Sequence, residues 1–202
     1  MTLKTFPRGP LSSNMYLLST ASGIFIIDPS VYPDKLSSED MPDRVDYILI
    51  THGHFDHINA IDRWVSLFPD AEVYMASEDI PALTDPYKNG SDIFVESCSY
   101  DTSVRDINEL SLDNLTVIKT PGHSKGSICF LMEEDGEKIM FTGDTLFAGS
   151  CGRTDLYGGS PEKMAESLKL LKEMDPDIEI YPGHGPSSTI KDERRFNPFF
   201  NL

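Results

Sequence analysis

The stretch Thr51-His52-Gly53-His54-Phe55-Asp56-His57 constrains this chain more than any other. It holds three of the chain's 5 histidines. It directly follows residues 46–51, whose continuous apolar run with β-branched members predicts a buried strand. A packed core has no use for such a cluster, and so many nitrogen and oxygen donors are costly to bury unless something binds them. The fold must therefore deliver these side chains to one place from a strand end. The two remaining histidines sit in similar settings. Thr120-Pro121-Gly122-His123-Ser124 follows a predicted strand over 115–120, and Tyr181-Pro182-Gly183-His184-Gly185 follows one over 178–181. A fourth motif, Phe141-Thr142-Gly143-Asp144-Thr145, closes a strand over 138–142. Glycines beside the key residues let the backbone approach a common centre.

Imidazole and carboxylate together suit zinc, iron or manganese. His52 and His54, two apart in an extended loop, can face one point. Asp56 and His57, where the chain turns into a helix, can face a second. Five imidazoles and two carboxylates exceed one tetrahedral site. They match two metals with a shared carboxylate, an arrangement in which ions roughly 3.5–4 Å apart activate a bridging water.

The rest of the pattern sets the scaffold. Segments 14–18 and 24–28 flank Ala21-Ser22-Gly23 and predict a hairpin. Ile58, Ile61, Val65 and Phe68 predict one helical face over 58–68, stopped by Pro69-Asp70. A strand over 72–75 and a short helix over 77–83 follow, and 84–106 is loop-rich. Strands over 115–120, 127–132 and 138–142 come next, with Asp135-Gly136 as a turn. Ser160 and Pro161 open a helix over 161–174, and 191–196 closes with a helical turn. Strand groups separated by helices in each half imply an α+β fold of two packed sheets with helices outside. A length of 202 residues suggests one large domain.

Composition excludes several roles. The net charge of −16 disfavours a nucleic-acid partner, which needs a basic footprint. No apolar run approaches the ~20 residues of a membrane span, and the first residues lack the apolar stretch of a signal peptide. Cys98, Cys129 and Cys151 are odd in number and without CxxC spacing, which points to a reducing, cytoplasmic compartment. Cys129, inside a predicted strand, reads as core.

Taken together, the motifs resemble the metallo-β-lactamase superfamily from residue 14 to 184 and beyond. The resemblance implies a four-layer αβ/βα sandwich, a single domain over 1–202, with metals at the edge where the sheets meet. It implies His52, His54 and His123 on one metal and Asp56, His57 and His184 on the other, with Asp144 bridging and Asp28 supporting the ligand loop. The cofactors would be two divalent ions, zinc first, with iron or manganese as alternatives. Gly143-Asp144-Thr145-Leu146-Phe147 followed by Ser150-Cys151-Gly152-Arg153, together with residues 120–130, resembles the glyoxalase II group, the hydroxyacylglutathione hydrolases. That implies hydrolysis of a small-molecule thioester such as S-2-hydroxyacylglutathione (lactoylglutathione) by a metal-bridging hydroxide. Asp56 and Asp144 would handle the residual proton, and Arg153 would meet the glutathione moiety. Lys125 is a second candidate anchor for an anionic substrate in so acidic a chain. Tyr157, with Phe147 and residues 84–100, is a candidate pocket wall. The longer members of that group carry a C-terminal helical domain that helps hold glutathione. Here little chain follows His184, so the resemblance is to the short members, and the thiol carrier stays open. Two relatives share the ligand set. Persulfide dioxygenases have a similar Gly-Arg-Thr-Asp segment, here Gly152-Arg153-Thr154-Asp155, and would use one iron on His52, His123 and Asp144. A lactonase is the other alternative.

Overall fold

The computed structural model describes residues 1–201. Its first half lays down one six-stranded sheet: β1 (Thr2–Phe6), β2 (Met15–Thr20), β3 (Gly23–Ile27), β4 (Tyr47–Leu49), β5 (Glu72–Met75) and β6 (Arg105–Asp106), hydrogen-bonded in that order. The first two pairings are antiparallel and the rest parallel. Short helices α1 (Phe55–Ile58) and α2 (Ile61–Leu67) connect β4 to β5, and α3 (Pro86–Asn89) and α4 (Ser91–Phe94) precede β6. The second half supplies β7 (Leu115–Lys119), β8 (Ile128–Glu134), β9 (Glu137–Gly143), a two-strand ribbon of β10 (Leu146–Phe147) and β11 (Ser150–Cys151), α5 (Pro161–Lys172), β12 (Glu179–Pro182), β13 (Ser188–Thr189) and α6 (Ile190–Phe196). Its five-stranded sheet runs β13-β12-β9-β8-β7.

Strand alternation explains the layering. In β3, Phe25 and Ile27 belong to a central cluster with Leu49, Tyr74, Phe130, Ile139 and Phe141, so this cluster glues one sheet to the other. Their neighbours face away. Ile26, Ile48 and Ile50 pack with Ile61 and Trp64 of α2. Cys129, Met140 and Ile180 pack with Met164, Leu168 and Leu171 of α5. Successive side chains on a strand point to opposite faces, so both sheets are apolar on both faces and each needs a helical cover. The result is the α+β four-layer sandwich. Cys129 is buried in the α5 layer, as its strand position predicts.

The local differences have physical causes. The helix predicted over 58–68 divides into α1 and α2. The bond that would continue it, Ala60 N–H to the Asp56 carbonyl, is never made. The Ala60 N–H donates to Pro29 O at 2.9 Å, and Ser13 Oγ donates to Asp56 O at 2.7 Å. The helix predicted over 77–83 is a 3₁₀ turn, Ile80–Thr84, in which Pro81 has no N–H to give. β1 is an edge strand with a weak pattern, and the sequence alone did not predict it.

One edge of the sandwich carries the four motifs. They follow β4, β7, β9 and β12 at the same end, and the Ile128 N–H donates to Thr51 O across the sheets at 3.0 Å. Ser13 forms an isolated bridge with His184, drawing the last motif to the first sheet.

Candidate metal centre

The site is built on the turn after β3. Asp28 adopts a left-handed backbone, φ 53°, which aspartate tolerates better than most residues. Its carboxylate there accepts the Thr51 N–H and the Thr51 hydroxyl, each at 2.7 Å. It also lies 2.9 Å from His57 Nδ1. A carboxylate only accepts, so His57 Nδ1 carries a proton and Nε2 is turned into the site. Thr51 Oγ1, having donated to Asp28, accepts from His52 Nδ1 at 3.1 Å. His123 Nδ1 donates to the Arg153 carbonyl at 2.8 Å. Three imidazoles are thus locked with Nε2 facing inward, which is what a metal ligand requires.

The donors fall into three overlapping groups, of which one, Asp28, His52 and His57, is tied up by the Asp28 hydrogen bonds and the other two face the site. Donor atoms of His52, His54 and His123 lie within 4.8 Å of one another, and so do those of Asp56, His57 and His184. His54 Nδ1 approaches His123 Nε2 at 2.7 Å. His184 Nε2 lies 3.2 Å from Asp56 Oδ2. Asp144 stands between the triads: Oδ2 is 3.5 Å from both His123 Nε2 and His184 Nε2, and Oδ1 is 3.3 Å from His57 Nε2. The closeness of Asp144 depends on Gly183. A Cβ there would meet His57 Cε1 at 2.6 Å and Asp144 Oδ1 at a shorter distance still.

These groups fit a divalent metal. His52 Nε2 and His54 Nε2 are buried with no hydrogen-bond partner. Each such orphan costs about 1–3 kcal/mol, and a bound cation would satisfy them. Burial, together with the neighbouring imidazoles, pushes His54 down to about 3 and His52 well below the usual histidine value, so both are neutral. Burial would raise Asp144, but the His57 imidazolium, with His123 beside it, outweighs it and holds the carboxyl well below its usual range. Asp56 is likewise lowered against its burial, by His57 and His184. For His57, burial is outweighed by Asp144, Asp56 and Asp28, which raise it well above the ordinary value.

Above the cluster is a cavity of about 290 Å³ walled by Leu11, Phe55, Phe94 and Phe147, with Asn89 and Arg153 at its polar margin. Arg153 is half-exposed, pairs with Asp155 at 2.6 Å and lies over the Phe94 ring. Lys125 and Tyr157 line a neighbouring crevice that shares His54 with this cavity, and the lysine ammonium lies 5.6 Å from the ring centroid. Cys151, a half-buried thiol, belongs to the α5 layer rather than the cavity wall.

Sequence reasoning missed the clamps. Asp79, buried, accepts from Gly53 N–H at 3.0 Å, Gly126 N–H at 2.8 Å and Ser124 Oγ at 2.6 Å, tying the first histidine loop to the second. Asn14 Nδ2 donates to Pro182 O and Gly185 O, and Tyr16 Oη to Pro182 O at 2.5 Å, fixing the His184 loop. Neither Asp79 nor Asn14 belongs to a donor motif, and only long-range pairing reveals them.

A sequence profile of the metallo-beta-lactamase superfamily matches residues 8–184. The chain is 32% identical to YqgX of Bacillus subtilis, described as a probable metallo-hydrolase, over all of this chain and 98% of that protein. Among solved structures it superposes on BLEG-1, a B3 metallo-beta-lactamase, with a TM-score of 0.86, 31% identity and full coverage of both chains. It also superposes on TTHA1623 in a di-iron-bound form, with a TM-score of 0.83, 35% identity and coverage of 98% of this chain and all of that one. The chain belongs to the metallo-β-lactamase superfamily. It is a metallo-hydrolase of that superfamily with a site for divalent metal.

Proposed function

We propose that this protein hydrolyses thioesters, with S-2-hydroxyacylglutathione as the reference substrate, at a centre of two divalent cations, zinc first among them. The observation that carries the reading is the lining of the cavity. Outside the donor cluster its polar groups are Asn89 and Arg153. Asn89 is fully committed: Nδ2 donates to Ala82 O and Cys98 O, and Oδ1 accepts from Ser91 N–H. Outside the donor cluster, none of the described residues lining this cavity is an acid, so a proton can return to a leaving group only by way of the donors themselves, Asp56, Asp144 and His184. An alkoxide or an amide nitrogen needs one. A thiolate, from a thiol of pKa about 8.5, does not.

Two complete donor triads with a carboxylate between them support two cations rather than one. Such cations supply Lewis acidity and lower the pKa of water. The chain does the rest. Asp56 and Asp144 stay ionised and can accept a proton at their carboxylate oxygens. Leu11, Phe55, Phe94 and Phe147 give the cavity an apolar wall, and Arg153 offers a cation to an anionic substrate. Cys98, Cys129 and Cys151 are all unpaired, in keeping with a reducing, cytoplasmic setting.

Metal analysis of the purified protein, run beside a panel of lactoylglutathione and simpler thioesters, tests the reading. Two metals per chain and thioester hydrolysis are expected, with hydrolysis lost in Asp144→Ala. One iron per chain, with O₂ consumed on glutathione persulfide, would replace the hydrolase by a dioxygenase. Unchanged hydrolysis in Asp144→Ala would refute the two-cation centre.

A further inference from the structure

Of the 17 lysines and arginines in this acidic chain, three lysines converge on one hollow outside the metal centre. Lys119 at the end of β7, Lys125 in the loop before β8 and Lys163 in the first turn of α5 line a cavity of about 480 Å³. Glu78 is the one carboxylate in its wall. It lies 3.8 Å from Lys119, a long and exposed pair that does little to cancel the charge. The Lys163 ammonium has no ion-pair partner among the described residues. Lys125 rests against the Tyr157 ring. Beneath the ammoniums lie Ala76, Pro121 and Ile128, which carry no charge. In a chain of net charge −16 this is a local excess of positive charge, set around a concave and partly apolar floor. Lysine ammoniums so arranged bind phosphate as point charges.

One loop joins this hollow to the metal centre. Arg153 and Leu156 line the metal cavity. Tyr157 lines the crevice shared by His54, Lys88 and Lys125. Gly158, Gly159 and Ser160 line the lysine hollow. Successive residues of one segment therefore run along the surface from the metal cavity, past a crevice of only about 10 Å³, to the lysine hollow.

We propose that the lysine hollow receives the phosphate-bearing end of the thiol carrier, so that the substrate is a thioester of a phosphorylated thiol. The proposal rests on the thioester reading and names its carrier class. The acyl end occupies the metal cavity, the arm lies against Tyr157, and the phosphates meet Lys119, Lys125 and Lys163. A glutathione thioester, which has carboxylates but no phosphate, leaves the hollow unused.

The test compares acetyl-coenzyme A with acetyl-pantetheine, the same thioester without phosphates, on the metal-loaded enzyme. The wild type is expected to favour the phosphorylated substrate by roughly tenfold or more in kcat/KM, with the preference shrinking as salt is raised. In the double variant Lys119→Gln/Lys163→Gln, both at solvent-exposed positions, the ratio falls towards one. The ratio cancels differences in folding or metal loading. A wild-type ratio near one, or a preference that survives the double variant, overturns the lysine assignment and leaves the thioester reading intact. If neither is cleaved while lactoylglutathione is, the phosphorylated carrier is overturned and the thioester reading stands; if none of the three is cleaved, the thioester reading fails. Calorimetry with free coenzyme A and pantetheine then decides the hollow by itself. Tighter binding of coenzyme A that disappears in the double variant supports phosphate recognition there, and equal binding of the two overturns it.

Discussion

Replacing Gly183 by alanine isolates the geometry of the centre from its chemistry. No donor is removed, and Gly183 is not among the residues with positive φ, so the backbone itself accepts alanine. The added methyl would meet His57 Cε1 at 2.6 Å and Asp144 Oδ1 closer still, where ordinary contact begins at 3.4 Å. The segment cannot retreat. The Gly183 N–H donates to Gly143 O at 2.8 Å, and its carbonyl accepts from Asn14 N–H at 2.7 Å. Asp144 must therefore yield by about an ångström, taking its carboxylate out of the space between the triads. Displacement on that scale costs on the order of 10²-fold in rate, and overpacking costs about 1–3 kcal/mol of stability. In a chain of this size that is a fall of about 2–12 °C in Tm, which thermal unfolding of the variant reads directly. Metal content by mass spectrometry, beside kcat/KM on a thioester, reads the effect. A Gly183→Ala protein with full metal occupancy and wild-type kcat/KM would show that Asp144 does not hold the centre.

Asp79→Ala strands the N–H groups of Gly53 and Gly126 and should lower stability by about 3–5 kcal/mol, read by thermal unfolding; an unchanged Tm would remove Asp79 as the clamp between the histidine loops. The chelated protein should be most stable near pH ~6.5, the ordinary histidine value. His52 and His54 have depressed values, so their contribution is present above that pH and is lost on acidification, at up to about 1.4 kcal/mol per pH unit for each. His57 and His184 have raised values, so theirs is present below it and is lost as pH rises through the folded values. A flat profile from pH 5 to 8 would contradict those assignments. Phe130→Ala, in the central cluster between the sheets, should cost about 3–5 kcal/mol in denaturant unfolding. Arg153→Met should raise KM for an anionic thioester while leaving Tm within about a degree, because its pair with Asp155 is exposed; unchanged KM would remove it from substrate binding.

Legible in the sequence by itself were the candidate donors and a plan of two packed sheets with helices outside, because both rest on local information. Each motif is a short run attached to the end of a strand, and a strand's alternation states which residues face each side. That β3 buries Ile26 on one face and Phe25 and Ile27 on the other, so that the sheet is covered on both, is seen only in the packed structure. What depends on distant partners stayed hidden until the chain was folded. The break between α1 and α2 follows from Pro29 and Ser13 taking the backbone groups that would have continued the helix, a competition no 3.6-residue period records. Asp79 looks like one more acidic residue before a proline turn until Gly53, Ser124 and Gly126 are brought to it from two other segments. Arg153, Lys125 and Tyr157 read alike as candidate substrate contacts. Only the packing of the 153–160 loop along the surface separated them, placing Arg153 at the metal cavity and Lys125 and Tyr157 in the crevice leading away from it.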